Sequence, residues 1–318
     1  MTHPDDVIVT LMGPTASGKT DLAMRIADAL PVAIISVDSA MVYRDMNIGT
    51  AKPSAAVLER YPHELIDLKD PADSYSVGEF VTDARACVAE ALQAGRLPLL
   101  VGGTMLYFKA FKGGIAELPE ASGDVRAELE RRAQREGLTA LHEELRRIDP
   151  VAAAGIHPNN PQRLLRALEV YATSGRPISE FWARQSSGGV AQALGCRLLE
   201  FAIAAPRDAV NARIERRFDA MLSAGLLDEV RVLMARGDLS LEKPSMRAVG
   251  YRQVWRHLRG EIDHATMIDR AVAATRQLAK RQRTWLRSWQ GKTVLNDAVE
   301  AGPILQSIRG ARIVRPSS

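Results

Sequence analysis

The chain has 318 residues, of which 46% are hydrophobic and 25% are charged, a composition typical of a globular protein with one large or two smaller domains. No apolar run approaches the roughly 20 residues that cross a bilayer, and the short acidic N-terminus lacks the basic start of a secretory signal. Cys87 and Cys196 lie far apart in the sequence, which supports neither a disulfide framework nor a zinc site. We therefore expect a cytoplasmic protein with no membrane partner.

The net charge of +4 is divided unevenly along the chain. Residues 1–200 carry 21 Lys and Arg against 26 Asp and Glu, whereas residues 201–318 carry 21 against 12. The positive excess in the C-terminal part is what a polyanionic partner such as nucleic acid requires. Basic side chains that merely solvate helices would give the same counts, so both interpretations stay open at this point.

Apolar segments separated by helical periodicity predict an α/β fold with a parallel sheet. In KTDLAMRIADAL, which follows Gly18, the apolar residues Leu22, Ile26 and Leu30 share one helical face. Strand, glycine-rich loop, helix and strand together form the start of a βαβ unit. The predicted strands are VIVTLMG (7–13), AIISVDS (33–39), LPLLVGG (97–103) and LLEFAIA (198–204).

Between about residues 116 and 197 the strand pattern stops and charged, helical segments replace it. The segment DVRAELERRAQREGLTALHEELRRID is followed by PQRLLRALEVYATSG, whose helix is ended by Gly175 and Pro177. These features predict an all-helical insertion domain at 116–197, between two parts of one sheet domain at 1–115 and 198–318.

The segment GPTASGKT matches the G-x-x-x-x-G-K-[ST] pattern between a strand and a helix, the context that supports a phosphate-binding loop. Backbone N–H groups, the helix N-terminus and the Lys19 ammonium would bind phosphate oxygens, and the Thr20 hydroxyl would bind Mg²⁺. The loop recognises phosphate groups. It does not show whether they belong to a nucleotide such as ATP or to a diphosphate without a nucleoside. The predicted phosphate-binding residues of the loop are Gly13, Pro14, Thr15, Ala16, Ser17, Gly18, Lys19 and Thr20.

Two neighbouring strand ends supply further candidates. Asp38 ends the second predicted strand, at the edge where open α/β sheets bind ligands, and its carboxylate could act as a general base. The alternative is that Asp38 or Ser39 only caps the next element. The third predicted strand ends in Gly102, Gly103 and Thr104, without the acidic Mg²⁺ ligand of many nucleotide-hydrolysing P-loop proteins. This argues against a motor or switch ATPase unless Asp38 serves as that ligand instead.

The basic C-terminal part contains two candidate binding segments. Arg213 and Arg217 lie four residues apart on one predicted helix face, which suits a diphosphate clamp, unless they pair with Glu215 or Asp219. The segment 274–289 contains five Lys and Arg, no acid and two tryptophans, a pattern typical of binding to single-stranded or loop RNA. A helix that turns its tryptophans inward would have the same sequence pattern.

These segments together resemble the tRNA dimethylallyltransferases, enzymes that prenylate an adenosine beside the tRNA anticodon. Many members carry Gln where Met41 stands, and the C-terminal zinc finger of eukaryotic members is absent, which indicates a bacterial type. The resemblance covers nearly the whole chain through GPTASGKT, SVDSAMVYRDMNIGTAKP, PHELIDLKDP, LPLLVGGTMLYFKA, HPNNPQRLLRALEVYATSGRPISE, RIERRFDAML, VGYRQVW and ATRQLAKRQRTWLR.

The resemblance implies a P-loop NTPase-like fold and transfer of a dimethylallyl group from dimethylallyl diphosphate to N6 of adenosine 37, with Mg²⁺ as cofactor and a monomeric enzyme. The implied catalytic residues are Asp38 as base, Thr104, Lys19 and Arg217, with Arg213 second to Arg217 on the diphosphate. The implied tRNA contacts are Asp38, Ser39, Ala40, Met41, Thr104, Arg126, Gln162, Arg163, Leu164, Leu165, Arg166, Arg247, Gly250, Tyr251, Arg252, Lys280, Arg281, Arg283 and Arg287.

Two other functional classes share some of these features. A small-molecule P-loop kinase would share the loop, Mg²⁺ and the arginines, but would leave the tryptophan-bearing basic segment and the helical insertion unexplained. A nucleotide-gated RNA-binding protein without catalysis would explain the basic half but not Asp38 at the strand edge. The resemblance assigns the insertion to the anticodon stem-loop.

Overall fold

The protein is described by a computed structural model covering residues 6–116, 118–120, 122–184, 188–296 and 301–313. Residues 113–187 form one compact unit, and the remaining described residues form the other. The predicted insertion at 116–197 therefore ends ten residues too late. The reason is that Val190 and Ala191 are buried in the core of the sheet unit, so the short helix that carries them belongs to that unit.

Six strands form one sheet in the order β3-β2-β4-β1-β5-β6, and all neighbouring pairs are parallel. The four predicted strands are confirmed, whereas β3 and β6 were not predicted because two or three residues are too few to show a strand pattern. The strands are β1 (Val7–Met12), β2 (Val32–Val37), β3 (His63–Glu64), β4 (Leu97–Gly102), β5 (Arg197–Ile203) and β6 (Thr293–Leu295).

The helices divide between the two units. In the sheet unit they are α1 (Lys19–Ala29), α2 (Ala55–Arg60), α3 (Val77–Gln93), α4 (Met105–Gly113), α10 (Val190–Ala193), α11 (Arg207–Ser223), α12 (Leu226–Ala235), α13 (Tyr251–Leu258), α14 (His264–Ser288) and α15 (Gly302–Ile313), with a 3₁₀ turn at Ser245–Arg247. In the helical unit they are α5 (Gly123–Glu136), α6 (Leu138–Ile148), α7 (Pro150–Gly155), α8 (Pro161–Ser174) and α9 (Ile178–Arg184). None of the described helices has the length and apolarity needed to cross a membrane.

Both faces of the sheet are covered, as a parallel sheet requires. In β1, Val9 and Leu11 belong to the core cluster that includes α1 and α15. Ile8 and Met12, which alternate with them, belong to the cluster on the opposite face with α3, α4 and α14. The central strand is therefore held from both sides, and its C-terminal end is fixed in position.

The carboxyl ends of the strands bring the predicted site residues to one edge. The phosphate loop follows β1, Asp38 follows β2 and Thr104 follows β4, and these three strands are adjacent in the sheet. Because they are parallel, their carboxyl ends lie at the same edge, which is where ligands bind in open α/β sheets.

The chain leaves the sheet unit and returns to it at one place. A Cβ atom built on Gly189 would lie 2.1 Å from the Lys112 carbonyl oxygen, so glycine is required for the two backbone segments to pass this closely. Lys112 also donates to the Glu200 carboxylate at 2.5 Å and to the Gln290 carbonyl at 2.9 Å. The last residues before the helical unit are thus anchored beside the first residues after it.

The helical unit has its own apolar core, formed by α5–α9. Leu164 and Leu165 are buried in it, at 0% and 3% exposure. The prediction that these two leucines contact tRNA is therefore wrong for their side chains, since the apolar face of α8 is used for the core. Gln162 and Arg163, on the other side of the helix, are exposed.

Candidate active site

The phosphate loop ends in an uncapped helix N-terminus. Gly18 precedes α1 with φ +88° and gives no side-chain cap, a left-handed conformation that favours glycine. The first N–H groups of α1 consequently have no intrahelical partner and form an anion site. The Ser17 hydroxyl beside them is buried and has no hydrogen-bond partner among the described residues, which a phosphate oxygen would provide.

Three side chains from α11 and α14 hold the loop. Arg213 Nε donates to the Ala16 carbonyl oxygen at 2.6 Å, and Arg217 Nη2 donates to the Thr15 hydroxyl. Gln282 Oε1 accepts from the Thr15 backbone N–H at 2.8 Å. The two arginines therefore contact the phosphate loop, and the described residues show no ion pair between them and Glu215 or Asp219.

Burial gives the cations of this site unusual electrostatics. Burial lowers the pKa of Lys19 from 10.5 to about 7; the Asp38 carboxylate opposes this effect and the Arg217 guanidinium adds to it. Burial also lowers the pKa of Arg217, again opposed by Asp38. Two partly desolvated cations beside one carboxylate leave a site that gains from a bound polyanion.

Asp38 has two separate roles in the geometry. Its Oδ1 accepts from the backbone N–H groups of Ala40 at 2.8 Å and Met41 at 3.3 Å, so the capping alternative is correct for this oxygen. Its other oxygen makes no hydrogen bond among the described residues. The carboxylate is thus held in place by one oxygen, and the second oxygen is available to a substrate.

Thr104 links the ends of β2 and β4. Its backbone N–H donates to the Val37 carbonyl at 3.2 Å, and its hydroxyl oxygen accepts from the Ser39 N–H at 3.1 Å. Gly102, just before it, has no room for a side chain, since a Cβ would lie 2.0 Å from the Val37 carbonyl oxygen. This close approach brings Thr104 next to Ser39, directly after Asp38.

Glu229 fixes the segment that follows Asp38. One carboxylate oxygen accepts from the N–H groups of Asn47 at 2.9 Å and Ile48 at 2.7 Å, and the other accepts from Gly49 at 3.1 Å and from the Tyr251 hydroxyl at 2.5 Å. Tyr251 is 0% exposed, so the prediction that its side chain contacts tRNA is wrong. The sequence shows no signal for Glu229, because it is one acid among many on an amphipathic helix.

Two adjoining cavities surround these groups. One, of about 480 Å³, lies along Asp38–Ala40, Thr104 and the basic segments of the C-terminal part, including Arg247, Gly250 and Arg281. The other, of about 440 Å³, lies along the phosphate loop. Thr15, Asp38, Arg217 and Gln282 line both. A ligand whose phosphates occupy the loop would therefore lie next to a second ligand at Asp38.

The basic residues of α14 line two different cavities. Arg281 lines the Asp38 cavity, whereas Lys280, Arg283 and Arg287 line a separate cavity of about 1000 Å³, together with Arg207 and other cations. The predicted cluster is therefore divided between two sides of the helix. Arg252 lies outside all three cavities and is exposed.

The tryptophans of this segment turn inward. Trp289 is half-buried and its indole N–H donates to Glu200 at 2.8 Å, and Trp285 packs against the core cluster of one sheet face. The alternative of an inward-turned tryptophan is therefore correct for Trp289. Trp285 still forms part of the wall of the Asp38 cavity.

The remaining predicted contacts lie in the helical unit. Arg166 donates to the Pro119 carbonyl at 2.6 Å and pairs with the buried Glu169, and Arg126 pairs with Glu130 one turn along α5. Both arginines have intramolecular partners, whereas the side chain of Arg163 is exposed.

The chain matches known proteins over most of its length. A family model described as IPP transferase matches residues 41–289, and one described as isopentenyl transferase matches residues 7–70. A tRNA dimethylallyltransferase of Chromohalobacter salexigens is 53% identical over 98% of this chain and 99% of its own. A tRNA dimethylallyltransferase 2 of Hahella chejuensis is 53% identical over 88% of each.

Solved structures show the same fold. A tRNA isopentenylpyrophosphate transferase from Bacillus halodurans is 37% identical, covers 97% of each chain and has a TM-score of 0.69. A eukaryotic dimethylallyltransferase is 23% identical with a TM-score of 0.80, over 98% of this chain and 80% of its own, a likeness of fold alone. From the family match and the 53% identity with curated relatives, this chain belongs to the IPP transferase family.

Proposed function

We propose that the protein transfers a dimethylallyl group from dimethylallyl diphosphate to N6 of adenosine 37 in tRNA and releases diphosphate. Its relatives of 53% identity are named tRNA dimethylallyltransferases. The observation that carries the chemistry is the juxtaposition of Asp38, with one unbonded carboxylate oxygen, and a phosphate loop with two buried cations. A diphosphate ester and its nucleophile would meet between them.

The acceptor amine requires a base, because its lone pair is delocalised into the adenine ring. As the bond from N6 to C1 of the dimethylallyl group forms, the bond from C1 to the diphosphate oxygen breaks and its electron pair leaves with the diphosphate. The N6 proton passes to the free oxygen of Asp38. Thr104, which is joined to Ser39, would contact the RNA beside the reacting base.

The leaving group accumulates negative charge, which the site is built to stabilise. The free N–H groups of α1, the Lys19 ammonium and the Arg217 guanidinium would bind the diphosphate oxygens, with Arg213 beside them. Lys19 Nζ donates to the Pro14 carbonyl at 2.7 Å, and this bond helps to hold the shape of the loop. These donors are pre-oriented and need little rearrangement.

The donor groups of the site fit Mg²⁺ when it is shared with the substrate. No group of three or more His, Cys, Asp or Glu side chains among the described residues could hold a metal alone, and Mg²⁺ is commonly held by few protein ligands plus substrate phosphates. The Thr20 hydroxyl and the phosphate oxygens would hold it, with the unpaired Ser17 hydroxyl alongside. When bound, Mg²⁺ supplies charge neutralisation on the diphosphate.

The tRNA would contact the protein through exposed polar side chains of both units. Adenosine 37 must leave its stack, at a cost of a few kcal/mol, and contacts with Arg247, Arg281, Lys280, Gln162 and Arg163 would offset it. We place this reaction in the cytoplasm and assign it to a monomer.

Radiolabelled dimethylallyl diphosphate and unmodified tRNA test the proposal. The protein should label tRNA that carries A37 and leave a tRNA with G37 unlabelled. ATP hydrolysis without labelling would instead identify a kinase or another nucleotide-dependent protein.

Asp38→Asn separates the base from its structural role. Asparagine keeps the Oδ1 acceptor for Ala40 and Met41 but is not a base, so transfer should fall by about 10²–10⁴-fold while tRNA binding persists. Asp45→Asn, an exposed carboxylate in the same segment, is the matched control and should retain full transfer. Equal loss of binding and transfer in Asp38→Asn would assign Asp38 to positioning.

A further inference from the structure

We propose that Gln282 is a positioning residue that couples RNA contact along α14 to the geometry of the phosphate loop. The inference rests on the proposed function, since it concerns the same two substrates. Gln282 is an uncharged residue between Arg281 and Arg283 in the basic segment.

Gln282 makes two hydrogen bonds to two different strand ends. Its Oε1 accepts from the Thr15 N–H in the phosphate loop at 2.8 Å, and its Nε2 donates to the Gly103 carbonyl oxygen after β4 at 2.9 Å. The residue is 8% exposed, so water does not replace these bonds freely. One amide thus joins the helix to both sides of the catalytic edge.

The orientation of this amide is fixed by its partners. A flipped amide would set its NH₂ against the Thr15 N–H and its oxygen against the Gly103 carbonyl, two repulsive contacts. A Cβ on Gly103 would lie 2.4 Å from Gln282 Nε2, so glycine is what allows the side chain to approach. Only a glutamine-length amide provides an acceptor and a donor at these two points.

The neighbours of Gln282 on α14 are the side chains that face the RNA site. Arg281 and Trp285 line the Asp38 cavity, and Leu278 and Thr275 line it one and two turns earlier. An RNA that contacts Arg281 therefore contacts the same turn of α14 that carries Gln282, whose side chain accepts from the Thr15 N–H. Because α14 is a rigid element of 25 residues, a displacement at Arg281 is passed to Gln282.

The consequence is reciprocal coupling between the two substrates. Whatever RNA binding does to the affinity for diphosphate, diphosphate binding does to the affinity for RNA by the same factor. Gln282 holds the Thr15 N–H of the phosphate loop, so RNA that fixes α14 should also fix the loop. We therefore expect bound RNA to tighten diphosphate binding. Loss of the Gln282 bonds should uncouple the sites without removing any group that touches either substrate's reacting atoms.

The experiment measures a coupling factor. The affinity for a non-cleavable thiolo analogue of dimethylallyl diphosphate is measured by calorimetry, with and without saturating unmodified tRNA. In the unaltered protein, tRNA should tighten analogue binding by about 5- to 150-fold. Gln282→Leu should reduce this factor to less than about twofold. Gln277→Leu, an exposed glutamine on the same helix, is the matched control and should keep it.

A second variant and a stability measurement distinguish a loss of coupling from a loss of folding. Gly103→Ala, which would displace the same amide from the opposite side, should also reduce the coupling factor and serves if Gln282→Leu does not fold. A variant of Gln282 that lowers the melting temperature or both affinities, but keeps the full coupling factor, would overturn the inference and leave Gln282 purely structural. Failure of the unaltered protein to bind the analogue or tRNA would instead contradict the proposed function.

Discussion

Glu229→Gln tests whether one carboxylate fixes the segment after Asp38. The carboxylate accepts four hydrogen bonds, from three backbone N–H groups of residues 47–49 and from Tyr251. Burial and the hydrogen bond to Glu229 raise the pKa of Tyr251, so the phenol stays protonated and remains a donor. A glutamine at this position replaces one acceptor oxygen with a donor.

The cost follows from the bonds that the amide cannot make. The new NH₂ group would turn toward Gly49 and Tyr251, because a tyrosine hydroxyl can also accept a hydrogen bond, and the Gly49 N–H would be left unpaired. One lost bond to a charged group is about 1.5–3 kcal/mol, and the other three become neutral bonds of about 0.5–1.5 kcal/mol each. At the low end of these ranges, the lost bond and the three weakened bonds together come to about 4.5 kcal/mol. Because Glu229 is only partly buried, water compensates part of this, and we expect a loss of about 3 kcal/mol in the free energy of unfolding.

Urea unfolding followed by tryptophan fluorescence measures this loss. Asp228→Asn is the control, since the neighbouring Asp228 side chain is 77% exposed and pairs with Arg231 at the surface; its cost should stay below about 0.5 kcal/mol. The backbone segment that Glu229 holds, residues 47–49, is followed directly by Thr50, which lines both cavities. Displacement of this segment in Glu229→Gln should therefore also raise KM for the diphosphate substrate. A loss of stability no larger than that of the control would refute the role of this carboxylate.

Three other changes test separate parts of the structure. Gly102→Ala should prevent folding, as seen by circular dichroism, because its Cβ would lie 2.0 Å from the Val37 carbonyl oxygen; a soluble, native variant would contradict the close pairing of β2 and β4. The pKa of about 7 at Lys19 predicts that diphosphate binding, which favours the protonated amine, takes up more protons at pH 8 than at pH 6, where the amine is already mostly protonated. Calorimetry in buffers of different ionisation enthalpy measures this uptake, and equal uptake at both pH values would contradict the lowered pKa. Leu164→Ala should destabilise the helical unit by about 2–5 kcal/mol, whereas Arg163→Ala should leave its urea transition unchanged and weaken tRNA binding in a filter assay; the reverse pattern would place Leu164 at the surface.

The site residues that the sequence predicted share a local signal. The phosphate loop is contiguous and lies between a strand and a helix, so its geometry is determined within a few residues. Asp38 and Thr104 follow apolar runs, and the parallel order of the strands brings their ends together. For these positions, a pattern of neighbouring residues was enough to predict where they lie in the fold.

The residues that the sequence did not reveal act over long separations. Gln282 lies 267 positions from the backbone group it accepts from, and Glu229 lies 180 or more positions from its three N–H donors. Neither belongs to a recognisable spacing, because their partners are backbone groups that any residue supplies. The inward turn of Trp289 likewise depends on Glu200, a buried acid on β5 that only the folded sheet brings close.

The adjacency of Lys112 and Gly189 makes the catalytic unit modular. Since the backbone leaves and returns at one point, the helical unit is connected like a hairpin loop, and its length has no effect on the register of the sheet. A short turn between these two residues would close the chain without stretching it. The part that contains the phosphate loop and the part that carries Gln162 and Arg163 can therefore change independently in evolution, and the helical unit can be exchanged between relatives in the laboratory as a single cassette.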